Sequence, residues 1–216
     1  MIGDAVAASL VRAPGSRFVT LEGIDGAGKS SHIAALSAAL GRDGRELVVT
    51  REPGGTDLAE QLRELLLRAA MDPLSEALLV FAARHDHLSR VIRPALARGA
   101  TVLCDRFSDA SFAYQGGGRG CDWRVLGELE SWVHGDLQPD LTIWFDLPPA
   151  VAAERRSVAR PADRFEQQDL AFFDRVRTAY LRRMGEAPRR FRRIDAAASR
   201  DAVWQQIAQA LAHDGD

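Results

Sequence analysis

A glycine-rich stretch surrounds the only lysine of the chain, whose other basic residues are arginines. Its residues are Gly23, Ile24, Asp25, Gly26, Ala27, Gly28, Lys29 and Ser30, which fit the pattern G-x-x-x-x-G-K-[ST] of a P-loop. The glycines let successive backbone N–H groups converge on phosphate oxygens, and a compact ammonium can reach between the β- and γ-phosphates. The pattern predicts that residues 23–31, which include Ser31, bind ATP phosphates. It also predicts that arginine at position 29 cannot replace the lysine in phosphate binding.

The flanking residues favour a strand before this loop and a helix after it. Arg17 to Glu22 form a short apolar run, and Ser30 to Leu40 carry apolar residues at helical spacing. Strand, glycine loop and helix is the order that a P-loop requires, and the helix N-terminus adds N–H groups beside the phosphates. An accidental glycine-rich turn is the alternative, and it does not need these flanks.

Charged residues follow two further predicted strands. Arg51 and Glu52 come after one strand, and Asp105 and Arg106 come after the next. Ligands of such sheets bind beyond the carboxyl ends of the strands, so these side chains should lie beside the P-loop. A carboxylate at Asp105, together with the Ser30 hydroxyl, would suit Mg²⁺. The alternative for Asp105 is a capping or ion-paired aspartate.

The elements that position these residues alternate along the chain. The predicted strands are 17–22, 46–50, 100–105, 141–146 and 191–194, and the predicted helices are 30–40, 56–69, 75–98, 122–134, 148–159, 168–184 and 199–212. This alternation predicts an α/β fold with a five-stranded parallel sheet and helices on both faces. Glycines at 54–55 and 116–118 are expected to break the chain between elements.

Composition limits the classes of function. The chain has 216 residues, 46% of them hydrophobic, and a net charge of −2, which suit one globular domain without a nucleic-acid or acidic-membrane signature. We expect a loose extension at 1–16, a single domain at 17–216, and neither a signal peptide nor a membrane span. Two cysteines suggest a reduced compartment, and the histidines and cysteines show no zinc-ligand spacing.

The motifs GIDGAGKS, REPGGT, FAARHDH, DRF and AYQGGGRG occur in this order, and together they resemble the bacterial thymidylate kinases, a family of P-loop nucleoside monophosphate kinases. The resemblance extends from about Phe18 to the C-terminus. It implies ATP-dependent phosphorylation of dTMP to dTDP in dTTP synthesis, with Mg²⁺ accompanying ATP. It also implies a homodimer packed through helices and a cytoplasmic location.

The resemblance assigns roles on the acceptor side. Asp25 is expected near the sugar 3′-hydroxyl and the metal, with Glu52 also at the acceptor, and Arg51 and Arg106 are expected to hold the acceptor phosphate. Guanidinium groups suit this task because they pair with phosphate through two hydrogen bonds. Surface ion pairs are the alternative for the two arginines, and a loop cap is the alternative for Asp25.

Base recognition is expected from one helix and one glycine-rich loop. Phe81 and Arg84 lie three residues apart and so share a helix face; the resemblance implies that Phe81 stacks on thymine while Arg84 donates to a ring carbonyl. Phe81 could equally be a core residue, and His85 and His87 are expected at the surface. In the loop, Ser111 and Gln115 are expected at the base and Tyr114 beneath the sugar, although Ala110 departs from the serine of many relatives.

Residues 155–166 resemble the mobile lid of the family. Phosphoryl transfer spreads negative charge over the γ-phosphate, so cations should arrive when both substrates are bound. The P-loop positions 24–27 contain no arginine, so the chain resembles those family members that place the catalytic arginine in the lid. Ala159 occupies a position where a lid arginine often lies, and the catalytic candidates are Arg156, Arg160 and Arg164. A solvated basic helix face is the alternative, and Glu166 could hold a lid arginine or metal-bound water.

Three other classes of protein remain to be weighed. A switch GTPase would need a second lysine to read guanine, and the chain has none. A kinase for another nucleoside monophosphate shares the P-loop and the lid, but Phe81, Arg84 and the AYQGGGRG motif argue against it. A non-enzymatic nucleotide-binding regulator would form no ADP from ATP and dTMP.

Overall fold

Five parallel strands form the sheet in the part of the chain that the computed structural model describes, residues 12–156, 164–165 and 167–212. They lie in the order β2, β3, β1, β4, β5. Their bounds are Arg17–Glu22 for β1, Leu47–Arg51 for β2, Thr101–Asp105 for β3, Leu141–Asp146 for β4 and Phe191–Asp195 for β5. The predicted α/β fold is confirmed, and each strand bound lies within one residue of its prediction.

Strand β1 lies at the centre of the sheet, which places the P-loop between two neighbouring strand ends. Leu21 is in register with Asp105 of β3 on one side and with Ile143 of β4 on the other. Val19 and Leu21 face a core shared with the helices at 30–40, 170–186 and 200–212, whereas Phe18 faces the opposite side. Near-continuous burial of the central strands is typical of a parallel sheet covered on both faces.

Helices cover both faces of this sheet, so the predicted layers are confirmed. In chain order they are α1 Ser30–Leu40, α2 Asp57–Arg68, α3 Pro73–His87, α4 Arg93–Ala97, α5 Ser108–Ser111, α6 Trp123–His134, α7 Pro149–Arg156, α8 Leu170–Glu186 and α9 Arg200–Ala212. A 3₁₀ turn at Gly41–Asp43 follows α1, and a π-helical turn at Leu88–Ile92 joins α3 to α4. The helix predicted at 75–98 begins earlier, at Pro73, because the Asp72 side chain caps the backbone N–H groups of Leu74 and Ser75.

The segment from 108 to 118 corrects one prediction. We expected a glycine-rich loop broken at Gly116–Gly118, but α5 continues into a π-helical stretch, Phe112–Gly118. Two of its glycines lie against α8: a Cβ on Gly117 would come within 2.6 Å of the Ala179 Cβ, and one on Gly118 within 2.5 Å of Phe172. These glycines allow two helical segments to approach each other closely and do not break the chain.

The remaining general expectations concern the chain start, the cysteines and membranes. Residues 12–16, the end of the predicted loose extension, contact the domain through Arg12, which donates to Asp140, and Ala13, whose N–H donates to the Leu96 carbonyl. Residues 1–11 lie outside the described part of the chain. Cys104 and Cys121 are buried free thiols. Across the described helices, none combines the length and the apolar character that crossing a membrane requires.

Candidate active site

The P-loop follows β1 directly, and glycine is required at its first position. Gly23, Gly26 and Gly28 all have positive φ, at 135°, 88° and 88°. A Cβ on Gly23 would also come within 2.6 Å of the Phe145 carbonyl oxygen. Side-chain-bearing residues rarely adopt such a backbone, so these glycines shape the loop.

Lys29 lies at the end of this loop with only 7% of its surface exposed. Its Nζ donates to the Gly23 carbonyl oxygen at 3.0 Å. Burial and the charge of Arg106 lower the lysine pKa, whereas Asp105 and Asp25 oppose that change. The ammonium is therefore held where a phosphate would be, within the electrostatic reach of both carboxylates. Ser30 and Ser31 begin α1 beside it and are exposed.

Asp25, Arg106 and Tyr114 form one hydrogen-bonded cluster beside the P-loop. Arg106 Nη2 donates to Asp25 Oδ1 at 2.7 Å and to the Tyr114 hydroxyl at 3.2 Å, and its guanidinium lies 4.8 Å from the centre of the tyrosine ring. Burial would raise the pKa of Asp25, but Arg106 and Lys29 outweigh it and hold that pKa well below its usual value. Asp25 is thus an anion whose charge is balanced by two cations.

Glu22 supports this cluster, although the sequence predicts it only as a strand residue. It is fully buried, accepting from the Phe107 backbone N–H at 2.7 Å and from the Tyr180 hydroxyl at 2.8 Å. Burial and the nearby Asp109 raise the pKa of Glu22 to about 8. Because Phe107 follows Arg106, whose φ is +73°, these bonds fix an unfavourable backbone turn that aims Arg106. The sequence signal for this role is a carboxylate at the end of an apolar strand.

A cavity of about 110 Å³ opens beside this cluster, at the carboxyl edge of the sheet. Like ligand pockets in general, it combines apolar walls with a few polar groups. Most of the predicted acceptor residues line it, namely Asp25, Glu52, Arg84, Arg106, Ser111, Tyr114 and Gln115. Further lining residues that the sequence analysis did not identify include Arg63, Leu66, Val80 and Phe165.

Arg84 projects into the cavity from α3 and is fixed by several acceptors. Its Nε donates to Glu52 Oε2 at 2.7 Å, and its Nη2 donates to the Phe107 carbonyl at 3.0 Å and to Ser111 Oγ at 2.9 Å. The remaining Nη1 is buried and has no hydrogen-bond partner among the described residues. A buried donor without a partner is costly, so this nitrogen is suited to an acceptor atom of a ligand.

Glu52 orients Arg84 with the help of His87, which corrects the expectation that His87 lies at the surface. His87 is fully buried, with Nδ1 3.0 Å from Glu52 Oε1 and Nε2 2.7 Å from Thr50 Oγ1. Burial would raise the pKa of Glu52, but Arg84 and His87 outweigh it and lower the pKa. His85 is exposed, as expected.

Glu52, His87 and Cys104 also gather potential metal-ligand atoms within 4.8 Å of one another. The sequence spacing gave no sign of this group. Both oxygens of Glu52 and both ring nitrogens of His87 already have protein partners, in Arg84, Thr50 and each other. The arrangement therefore serves to orient Arg84.

Phe81, which is predicted to stack on the base, is not among the cavity-lining residues. Its side chain is 1% exposed and packs in a core cluster with Ala77 and Phe112. Val80, the preceding residue, lines the cavity instead. Neighbouring helix positions differ by about 100° in direction, so a shift of one residue exchanges the two faces. Phe81 still contributes indirectly, because the Arg84 guanidinium lies 4.8 Å from its ring centre.

Arg51 does not line the cavity either. Its side chain is 46% exposed and donates to Glu60 Oε2 at 2.9 Å and to the Pro53 carbonyl at 3.1 Å. This is the surface ion pair that the sequence analysis kept as the alternative. Besides Arg84 and Arg106, Arg63 from α2 lines the cavity, and it also donates to the Pro53 carbonyl. No motif pointed to Arg63.

Asp105 ends β3 next to the P-loop, and one of its carboxylate oxygens is buried without a hydrogen-bond partner among the described residues. This oxygen is Oδ1. A buried carboxylate oxygen without a partner, close to the Lys29 ammonium and the phosphate loop, has the chemistry of a Mg²⁺ ligand. The donor set of Asp105 and the exposed Ser30 hydroxyl therefore fits the predicted ion.

The predicted lid is described only in part. Arg160, Glu166 and the Arg156 side chain lie outside the described residues, so their predicted roles stay predictions. Arg164 is described: its Nε donates to the Leu66 carbonyl at 3.0 Å, and its Nη2 donates to Glu76 Oε2 at 2.6 Å. These contacts direct Arg164 toward the cavity side of the molecule.

Comparisons with known proteins agree on one family. The family model described as thymidylate kinase matches residues 21–207. A thymidylate kinase of Polaromonas sp. is 53% identical, over 92% of this chain and 97% of its own length. One of Albidiferax ferrireducens is 56% identical, over 90% and 94%. The crystal structure of thymidylate kinase from Ehrlichia chaffeensis superposes with a TM-score of 0.75 at 34% identity, covering 92% of this chain and 99% of that one.

Proposed function

We propose, on the premise that this chain belongs to the thymidylate kinase family, that it transfers the γ-phosphate of ATP directly and in line to dTMP within the cavity beside the P-loop. The chain phosphorylates dTMP to dTDP and uses ATP as the donor. The observation that carries the proposed site is the arrangement of Asp25, Arg106 and Arg84 along one cavity next to Lys29. A phosphate oxygen of dTMP is already nucleophilic, so positioning and charge stabilisation suffice.

On the donor side, residues 23–31 would cradle the ATP phosphates. Lys29 would exchange its bond to the Gly23 carbonyl for phosphate oxygens, since its ammonium is already held at the loop. Asp105 and Ser30 would hold Mg²⁺, directly or through water. When bound, this ion would supply positive charge that offsets the charge of the phosphate oxygens.

On the acceptor side, Arg106 would hold the dTMP phosphate. Its guanidinium bridges Asp25 and Tyr114, so it is fixed before the acceptor arrives and little side-chain entropy remains to be lost. Asp25, kept ionised by Arg106 and Lys29, would accept a hydrogen bond from the sugar 3′-hydroxyl. Tyr114 would pack beneath the sugar.

The base would bind at the far end of the cavity. Arg84 offers the buried, unpartnered Nη1 to a ring carbonyl, and Gln115 and Ser111 lie on the same wall. Val80 would supply the apolar contact that we first assigned to Phe81. Glu52 acts through Arg84 and is in this account a positioning residue.

A lid arginine would complete the charge stabilisation and exclude water that would hydrolyse ATP. The candidates remain Arg156, Arg160 and Arg164. Since the Arg164 guanidinium already bonds Glu76 and the Leu66 carbonyl, Arg156 and Arg160 are the better candidates for the γ-phosphate. Arg164 would instead hold the end of the lid near the acceptor.

We also propose a cytoplasmic homodimer. Exposed large apolar side chains lie on three neighbouring helices, α2, α3 and α6, and these are Leu58, Leu65, Leu74, Leu78, Val125 and Trp132. Large exposed apolar side chains on adjoining helices suit a protein interface. A second copy of the chain is the partner that the family resemblance implies.

An acceptor panel tests the proposed site. ATP-dependent phosphorylation would be measured with dTMP, dUMP, UMP, CMP, AMP and GMP, with ADP formation followed in each case. We expect dTMP to be preferred and ATP turnover without an acceptor to be slow. Preference for another monophosphate would overturn the acceptor assignment. ATP turnover that is as fast without dTMP as with it would overturn the proposed mechanism.

A further inference from the structure

Glu76 is a buried carboxylate behind the cavity wall, where it binds the side chain of the lining residue Gln115. It lies on α3 and is fully buried. Its Oε1 accepts from Gln115 Nε2 at 2.8 Å. Its Oε2 accepts from Arg164 Nη2 at 2.6 Å and lies 3.3 Å from Arg119 Nε. One carboxylate thus joins a cavity-lining amide to two arginines.

We propose that Glu76 sets the choice of base by fixing the side-chain amide of Gln115, an inference that rests on the proposed acceptor site. An amide has a donor end and an acceptor end of nearly the same shape, so its orientation is decided by its partners. An ionised carboxylate can only accept hydrogen bonds. Glu76 therefore binds the nitrogen of the Gln115 amide and leaves Oε1, an acceptor, for the ligand.

The resulting pair of groups defines a hydrogen-bonding pattern. Arg84 Nη1 is a donor without a partner among the described residues, and Gln115 Oε1 is an acceptor. A base that meets both groups must offer an acceptor next to a donor. Thymine and uracil do so with O4 and N3–H. Cytosine offers the reverse, an amino donor at C4 and an acceptor at N3, so it would place donor against donor and acceptor against acceptor.

This pattern gives Glu76 a specific task. Glu76 is a positioning residue that selects thymine and uracil nucleotides over cytosine nucleotides without touching the base. Sites that read hydrogen bonds discriminate strongly, because a mismatched base leaves buried polar groups unpaired. The 5-methyl group of thymine lies outside this pattern, so Glu76 should not affect the choice between dTMP and dUMP.

The principal experiment compares Glu76→Gln with the wild-type enzyme. Glutamine at position 76 can accept or donate, so the Gln115 amide is free to turn over. We expect the ratio of kcat/KM for dTMP to that for dCMP to fall by at least about tenfold. The ratio for dTMP to dUMP and the KM for ATP should stay within about twofold of wild type. Glu64→Gln, the same change at an exposed position of α2, should leave both ratios unchanged.

Two further variants guard against a simple loss of folding. Glu76→Asp keeps the negative charge opposite Arg164 and Arg119 but withdraws the oxygens by one methylene, so it should lower the same ratio in part. Gln115→Met removes the amide at similar volume. In that background Glu76→Gln should change the dTMP to dCMP ratio no further, because the two residues act as one unit. Melting temperatures identify any variant that fails to fold.

The outcomes separate this inference from the proposed function. A wild-type enzyme that does not prefer dTMP over dCMP would overturn the acceptor site and this inference together. A dTMP to dCMP ratio that stays at the wild-type value in folded Glu76→Gln would overturn the inference alone. So would an equal fall of the dTMP to dCMP and dTMP to dUMP ratios, because that result indicates general damage to the cavity.

Discussion

At the scale of single residues, Glu22 connects the core to the candidate site. It accepts from the Phe107 N–H and the Tyr180 hydroxyl, while Arg106, between the P-loop and the cavity, adopts a φ of +73°. A left-handed backbone costs a residue with a side chain about 1–2 kcal/mol. The bonds of Glu22 help to hold that turn, so this buried carboxyl group aims a guanidinium that it contacts only through neighbours.

The raised pKa of Glu22 predicts how stability depends on pH. Its pKa rises from 4.5 to about 8 on folding, by burial and by Asp109. The folded protein therefore binds this proton more tightly than the unfolded chain does. The stability that the proton contributes is fully present below pH 4.5 and is lost as the pH rises through about 8.

Glu22→Gln should remove this loss. In urea unfolding between pH 4.5 and 9, the free energy of unfolding of the variant should rise relative to that of wild type up to about pH 8, by about 5 kcal/mol, with no further relative rise above that pH. Glu128→Gln, at an exposed position of α6, should run parallel to wild type. Parallel profiles for Glu22→Gln would contradict the buried, protonated carboxyl. Arg106, Tyr180 and Asp109 face the group in both proteins.

The sequence predicted those site residues whose roles depend on local spacing. Lys29 is fixed by the P-loop pattern, and Arg84 and Arg106 follow from motifs within single elements. Val80 was missed as a lining residue and His87 was wrongly expected at the surface, because the surroundings of both depend on tertiary packing. Val80 differs from Phe81 only in helix face, and His87 is buried against Glu52 from the end of β2. Such contacts bring together residues distant in sequence, so no short pattern contains them.

At the scale of elements, the contact between the π-helical stretch Phe112–Gly118 and α8 positions one wall of the cavity. Tyr114 and Gln115 lie in this stretch and line the cavity. The strands and most helices were predictable because hydrophobic periodicity records which face is buried. This stretch was not, because glycine is common in loops and its use for close packing shows only when the facing helix is known.

Gly117→Ala tests this packing. The new Cβ would come within 2.6 Å of the Ala179 Cβ and 2.8 Å of the Arg175 carbonyl oxygen, and overpacking of this kind costs about 1–3 kcal/mol. We expect a matching loss in the free energy of unfolding, and a raised KM for dTMP because the cavity wall shifts. The matched control is Gly127→Ala within α6, where nothing lies within 4 Å of the added Cβ. That change should stabilise the protein by up to about 1 kcal/mol.

At the scale of the whole molecule, the proposed donor and acceptor sites lie on different parts of one sheet edge. The donor loop follows the central strand β1, whereas the acceptor cavity is built from α2, α3 and the segment after β3. The same helices α2 and α3, with α6, carry exposed apolar side chains on their outer surface. In a dimer formed through this surface, the partner would therefore pack directly against the helices that form the acceptor cavity.

Leu78→Lys tests the dimer at this surface. Leu78 lies on α3 and is 49% exposed, so lysine is tolerated in the monomer. In the proposed interface it would place an unpaired charge, which costs about 2–5 kcal/mol of binding free energy. Light scattering after size-exclusion chromatography should give twice the chain mass for wild type and the chain mass of 23.6 kDa for the variant. Leu170→Lys, at an equally exposed position on α8, should remain dimeric. A monomeric wild type, or a Leu78→Lys protein that stays dimeric at micromolar concentration, would refute an interface on α2, α3 and α6.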